Sequence, residues 1–96
     1  MNEGGLENTI KRTENKKVLN LSHNSRLLSL NGLDSIQDTL EHLEIYYCNN
    51  ITDMSVFSTT VFRNLRVIQI EGNSCTQVDL QKQTALKNVQ ISFSHL

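Results

Sequence analysis

At 96 residues, with 38% hydrophobic and 20% charged residues and a formal net charge of −1, the chain is sized for one domain. The near-neutral balance gives no basis for electrostatic capture of nucleic acid or an anionic lipid surface. Its longest apolar runs are a few residues, far short of the roughly 20 that a membrane-spanning helix needs.

Residues 1–15 are polar, of mixed charge, and carry the pair Gly4-Gly5. They read as a flexible leader or a loose N-terminal cap. Lys11, Arg12, Lys16 and Lys17 are basic but are interleaved with Glu14 and preceded by Glu3 and Glu7, as in a solvated segment. The start lacks the apolar core of a secretory signal. Two cysteines, Cys48 and Cys75, are too few for a disulfide framework and read as free thiols of a reducing compartment. The expected localisation is therefore cytoplasmic.

One motif recurs from residue 16 onward. Its first copy is Lys16-Lys-Val-Leu19-Asn-Leu21-Ser-His-Asn24. The segment from Asn24 to Thr39 follows, with Leu27, Leu28, Leu30, Leu33 and Ile36 expected to turn inward. Asp34 or Ser35 is the expected cap of a short helical turn ending near Leu40. The second copy, Leu40-Glu-His-Leu43-Glu-Ile45-Tyr-Tyr-Cys48, is complete: apolar-x-x-apolar-x-apolar-x-x-Cys. Thr52-Asp53 is then placed to cap a turn or short helix running toward Arg63. Val56, Phe57, Val61 and Phe62 would form its inward side, although β-branched residues and Ser make its helical propensity poor. The third copy is Leu65-Arg-Val-Ile68-Gln-Ile70-Glu-Gly-Asn73. Ser74 to Thr84 is short and polar apart from Cys75, Val78 and Leu80, and reads as a loop or extended arc. The fourth copy is Leu86-Lys-Asn-Val89-Gln-Ile91-Ser-Phe-Ser94.

The anchors Leu19, Leu43, Ile68 and Val89 stand 24, 25 and 21 residues apart. In each copy, alternation puts the anchor and the apolar residue two places later on one strand face, with the residues between them on the other. Parallel pairing of the copies would build an inward apolar ladder from 19/21, 43/45, 68/70 and 89/91. Asn24, Cys48, Asn73 and Ser94 would sit at the bend after each strand, where an Asn side chain can satisfy backbone groups left unpaired by the turn and a Cys packs as a small hydrophobe.

This frame, repeated at this spacing over about Lys16 to Ser94, resembles the leucine-rich repeat, whose unit runs about 20–29 residues. The string Cys48-Asn-Asn-Ile51-Thr52-Asp53, followed by Phe62-Arg-Asn-Leu65-Arg-Val-Ile68, is similar to the cysteine-containing repeats of F-box ubiquitin-ligase adaptors and of plant immune receptors. The first and last copies depart from the pattern at Lys16 and Ser94, as terminal units do. The resemblance implies an α/β fold: a short solenoid over residues 16–96 of about four units. Its concave face would be a parallel sheet, and its convex side short helices or irregular arcs.

It also implies a protein–protein interaction module, a scaffold or substrate-recognition adaptor, whose partner is another protein held on the concave face. The expected contacts are His42, Glu44, Tyr46, Tyr47, Gln69, Glu71, Gln90 and Phe93. Tyr46 and Tyr47 lead, because tyrosine is large, stiff and amphipathic. The competing expectation is a fragment of a larger repeat protein without independent activity. A strand copy with no polar cap after it also leads us to expect end-to-end self-association.

Catalysis is not expected. Ser22, His42 and Glu44 share the concave face, but it is open, without oxyanion donors or any means to exclude water. No metal or cofactor is expected either. His23, Cys48 and Cys75 include no close-spaced ligand pair, and Gly4, Gly5, Gly32 and Gly72 form no phosphate loop.

Overall fold

The computed structural model describes Leu6, Ile10, Lys11 and residues 17–24, 26–72 and 78–92. Four strands, β1 (Val18–Ser22), β2 (His42–Tyr46), β3 (Val67–Glu71) and β4 (Asn88–Ser92), form one parallel sheet in sequence order. With few and short helices, the architecture is α/β. Each strand is an alternating five-residue stretch, and the register aligns equivalent positions without slippage. Leu19 pairs with Leu43, Ile68 and Val89 in turn, and Leu21 with Ile45, Ile70 and Ile91. A one-residue slip would send every apolar side chain of a strand to the wrong face.

The inward faces of β1, β2 and β3 are dry: Leu19, Leu21, Leu43, Ile45, Ile68 and Ile70 are all buried. The connecting segments close the core with Leu27, Leu30, Leu33, Ile36, Leu40, Ile51, Met54, Val56, Phe57, Phe62 and Leu65. The rings of Phe57 and Phe62 are tilted against each other at 5.6 Å, a favourable aromatic geometry. β4 departs from the expected ladder. Val89 is 44% exposed and Ile91 only partly buried, because no further strand lies beyond this edge among the described residues. Alternation sets which way a side chain points, but burial needs a neighbour.

Leu6, Ile10 and Lys11 have helical backbone, and Leu6 and Ile10 belong to the buried core. At these two positions the leader expected over residues 1–15 is not solvated. Both apolar side chains pack into the same cluster as Leu19 and Leu21.

The connections follow the inward pattern with two exceptions. Leu28 is 64% exposed and Val61 46%. Around Leu28 the backbone is extended: Ser29 bridges to Asp53, and Thr52 N–H donates to Leu28 O at 3.0 Å. Adjacent side chains there alternate, so Leu27 is inside and Leu28 outside. The same holds after α1 (Val56–Thr59), where Thr60 is extended (φ −126°, ψ 133°). Phe62 therefore enters the core and Val61 does not.

The short helical turns also differ from the sequence expectation in their caps. The 3-10 helix Leu33–Ile36 is entered through Gly32 at φ 101°, with no side-chain cap, so neither Asp34 nor Ser35 caps it. A left-handed entry of this kind is cheap only for glycine. At α1 the residue before the helix, Ser55, makes no side-chain cap. Asp53 acts one turn earlier, its carboxylate accepting Ser55 N–H at 2.8 Å. That bonding holds the Asp53 carboxyl below its ordinary value.

The bend residues behave as anticipated where they are described. Asn24 Oδ1 accepts Arg26 N–H at 3.2 Å, an Asx turn. Cys48 is a free, fully buried thiol that donates to Leu21 O at 3.0 Å, tying the end of β2 to β1. Burial pushes this thiol up from its ordinary value. Asn73, Cys75 and Ser94 lie outside the described residues. Among the described residues, no helix is long and apolar enough to cross a membrane.

Candidate functional site

The sheet places three rows of side chains on its outward face. Across the strands these rows are Val18, His42, Val67 and Asn88; Asn20, Glu44, Gln69 and Gln90; and Ser22, Tyr46, Glu71 and Ser92. In-register parallel pairing sets neighbours in a row about 4.8 Å apart, close enough for short polar side chains to bond directly.

Two hydrogen-bonded chains result. On the β1–β2 side, Ser22 Oγ donates to Asn20 Oδ1, and Asn20 Nδ2 donates to Glu44 Oε1 at 2.9 Å. His42 Nε2 lies 2.9 Å from the other Glu44 oxygen, yet it has no well-aligned hydrogen bond. The distance favours a charge contact when the imidazole is protonated, and the misalignment denies it a full bond otherwise. On the β2–β4 side, Tyr46 Oη donates to Gln69 Oε1 at 2.8 Å, and Gln69 Nε2 donates to Gln90 Oε1 at 3.4 Å. Partial burial, then the carboxylates of Glu44 and Glu71, push the Tyr46 phenol up from its ordinary value. It therefore stays a neutral donor across the physiological range.

An open hollow of about 480 Å³ lies over this second chain, lined by Tyr46, Gln69, Glu71, Gln90 and Ser92, with Val89 and Ile91 on its β4 side. It combines a phenol, two amides and a carboxylate with a little exposed aliphatic surface.

Tyr47 is placed differently from Tyr46. Consecutive strand residues point to opposite faces, so both could not lie on one face unless the backbone turned between them. Tyr47 takes φ 60°, as His23 takes φ 56° after β1 and Gly72 takes φ 70° after β3. Left-handed backbone is costly for residues with a Cβ. Here it brings the His23 and Tyr47 rings into a stack at 5.4 Å and 21°. The Tyr47 ring also lies over Gly72, where a Cβ would stand 2.4 Å from Tyr47 Cδ1. Tyr47, 47% exposed, thus forms a rim at the C-terminal ends of the strands.

Of the expected contacts, His42, Glu44, Tyr46, Gln69, Glu71 and Gln90 share the outward sheet face, Tyr47 edges it, and Phe93 lies outside the described residues. Asn20 and Ser22, which are not among the expected contacts, join the network. Ser22 bonds to Asn20, and His42 meets Glu44. Among the described residues, no group of His, Cys, Asp or Glu side chains is arranged to hold a metal ion.

The residue that sequence reasoning missed is Gln83, buried to 4% exposure. Its amide donates to Phe57 O at 2.8 Å and Thr60 O at 2.7 Å, and its oxygen accepts Phe62 N–H at 2.9 Å. It closes the backbone leaving α1. A glutamine in a polar interval carries no periodic signal of such a role.

No protein-family model, curated protein or solved structure matches the chain.

Proposed function

We propose that the chain is a short leucine-rich-repeat solenoid and acts as a protein-interaction module, binding a protein partner on the outward face of its sheet. The repeat reading is supported by the coincidence of the four sequence copies with four strands, each anchor pairing with the next anchor.

The binding reading rests on one observation above the others. The outward face is an in-register surface of polar groups in which the half-buried Tyr46 and Gln69 bond in a chain to the exposed Gln90, beside an open hollow. Bonds within the face hold these side chains in place before a partner arrives, which lowers the ordering cost of association. Tyr46 brings a large apolar ring with a neutral hydroxyl, the type of group that dominates interface energetics. The free, buried thiol of Cys48 supports placement in a reducing compartment such as the cytoplasm.

The second reading, a part of a larger repeat assembly without activity of its own, is favoured by the exposed Val89 on β4.

The test is affinity capture with the wild type beside Tyr46→Ala/Gln69→Ala and, as a control, Leu28→Ser/Val61→Ser, which alters exposed residues of the connections. A partner kept by the control and lost by the face variant supports the proposal, provided both variants melt cooperatively. A partner lost by the control and kept by the face variant contradicts it.

A further inference from the structure

The two edges of the sheet are unlike each other. On β1 the inward Leu19 and Leu21 are 1% and 2% exposed, in the same buried cluster as Leu6 and Ile10. On β4 the inward Val89 is 44% exposed, and Ile91, Val78, Leu80 and Leu86 are only partly buried. Edge strands are normally protected by charge, proline or a bulge. β4 has none of these: Asn88-Val89-Gln90-Ile91-Ser92 is uncharged and proline-free, and it pairs with β3 residue for residue.

The backbone fixes which groups are free. Asn88 N–H donates to Arg66 O, and Ser92 O accepts Gly72 N–H. The backbone groups of Asn88 and Ser92, and by alternation those of Gln90, thus face β3. Those of Val89 and Ile91 face away from the sheet. On the outward side the donor chain from Tyr46 through Gln69 ends at Gln90, whose amide nitrogen has no acceptor among the described residues.

We infer that two copies of this chain form a closed dimer through β4, paired antiparallel about a two-fold axis at Gln90. In this register Val89 of each copy opposes Ile91 of the other. Their outward N–H and C=O groups complete two hydrogen-bonded pairs, and their side chains meet on the inward face. Gln90 opposes its own counterpart in the non-hydrogen-bonded pair, where side chains approach most closely, so each amide nitrogen gains the other's oxygen. A two-fold centred on Val89 would instead set Ile91 against Lys87. Head-to-tail stacking would need an open apolar end beside β1, and that end is closed. An isologous contact uses the same exposed β4 edge on both copies, so each covers the other. The inference does not rest on the repeat reading or on a protein partner. One strand and a few aliphatic side chains make a small interface, so micromolar dissociation is expected.

The test uses the full chain. Sedimentation over a concentration series should give monomer and dimer with no larger species. In a Cys75→Ser background, Gln90→Cys should form an intermolecular disulfide on mild oxidation, because such a pair sets its Cα atoms about 4.5 Å apart. Asn88→Cys and Ser92→Cys should not, since each stands on the order of 14 Å from its counterpart. Gln90→Lys should raise the dissociation constant about tenfold by opposing like charges, without changing the melting of dilute monomer. Mixing it with Gln90→Glu should restore the dimer. A monomer at every concentration, an open-ended series of oligomers, or cross-linking as efficient at 88 and 92 as at 90 overturns the inference.

Discussion

Replacing Gln83 with methionine keeps the length and nearly the volume of the side chain while removing its three hydrogen bonds. Phe62 N–H and Phe57 C=O are then left buried without their partner, whereas Thr60 C=O, partly buried, can turn to water. Each buried orphan costs about 1–3 kcal/mol, so two of them remove about 3 kcal/mol. A domain of 96 residues has about 5–14 kcal/mol in total, so the variant should remain folded but lose a large fraction of its stability. At about 4–8 °C per kcal/mol for this size, its melting temperature should fall by about 12–24 °C. Urea unfolding followed by circular dichroism measures the loss directly, with the slope against denaturant unchanged if the fold is intact. Gln83→Glu should also destabilise, because a carboxylate still accepts Phe62 N–H but offers two carbonyls no donor. A loss under about 0.5 kcal/mol in Gln83→Met, the size of an ordinary surface substitution, would refute the role given to this side chain.

Ile45→Asp should abolish cooperative unfolding, since it places an unpaired charge in the fully buried ladder, whereas Tyr46→Ala should melt within a few degrees of the wild type; the reverse pattern would mean the strand register is wrong. Gly72→Ala should cost about 1–3 kcal/mol, from left-handed backbone and from displacing the Tyr47 ring, and chemical denaturation checks it. Asp53 has a lowered folded value. Its contribution is thus fully present above the unfolded carboxylate range and is lost as pH falls through the folded value. Asp53→Asn should accordingly lower stability at neutral pH and flatten the acid limb of a stability–pH profile, with the two proteins converging as pH falls through the folded value.

The strands were legible because two-residue alternation repeated in four copies specifies which side chains point inward. Leu19, Leu21, Leu43, Ile45, Ile68 and Ile70 follow directly. The connections were not, because an apolar residue such as Leu28 or Val61 carries no phase until the local backbone is known to be extended. Val89 shows a different limit, since its exposure depends on whether a strand lies beside β4, and none does among the described residues. Six of the eight candidate contacts fell on the expected face because they are the odd positions between ladder residues. Tyr47 reached the rim through a left-handed backbone that a tyrosine does not advertise, whereas Gly72, at the equivalent place, does.

The claim that the outward sheet face is the partner surface is tested most directly by hydroxyl-radical footprinting of the chain with and without its captured partner. Protection of Tyr46, with Tyr47 at the rim, while Leu28 and Val61 react as in the free chain, is the predicted result. Protection of Leu28 and Val61 with Tyr46 unchanged would contradict it.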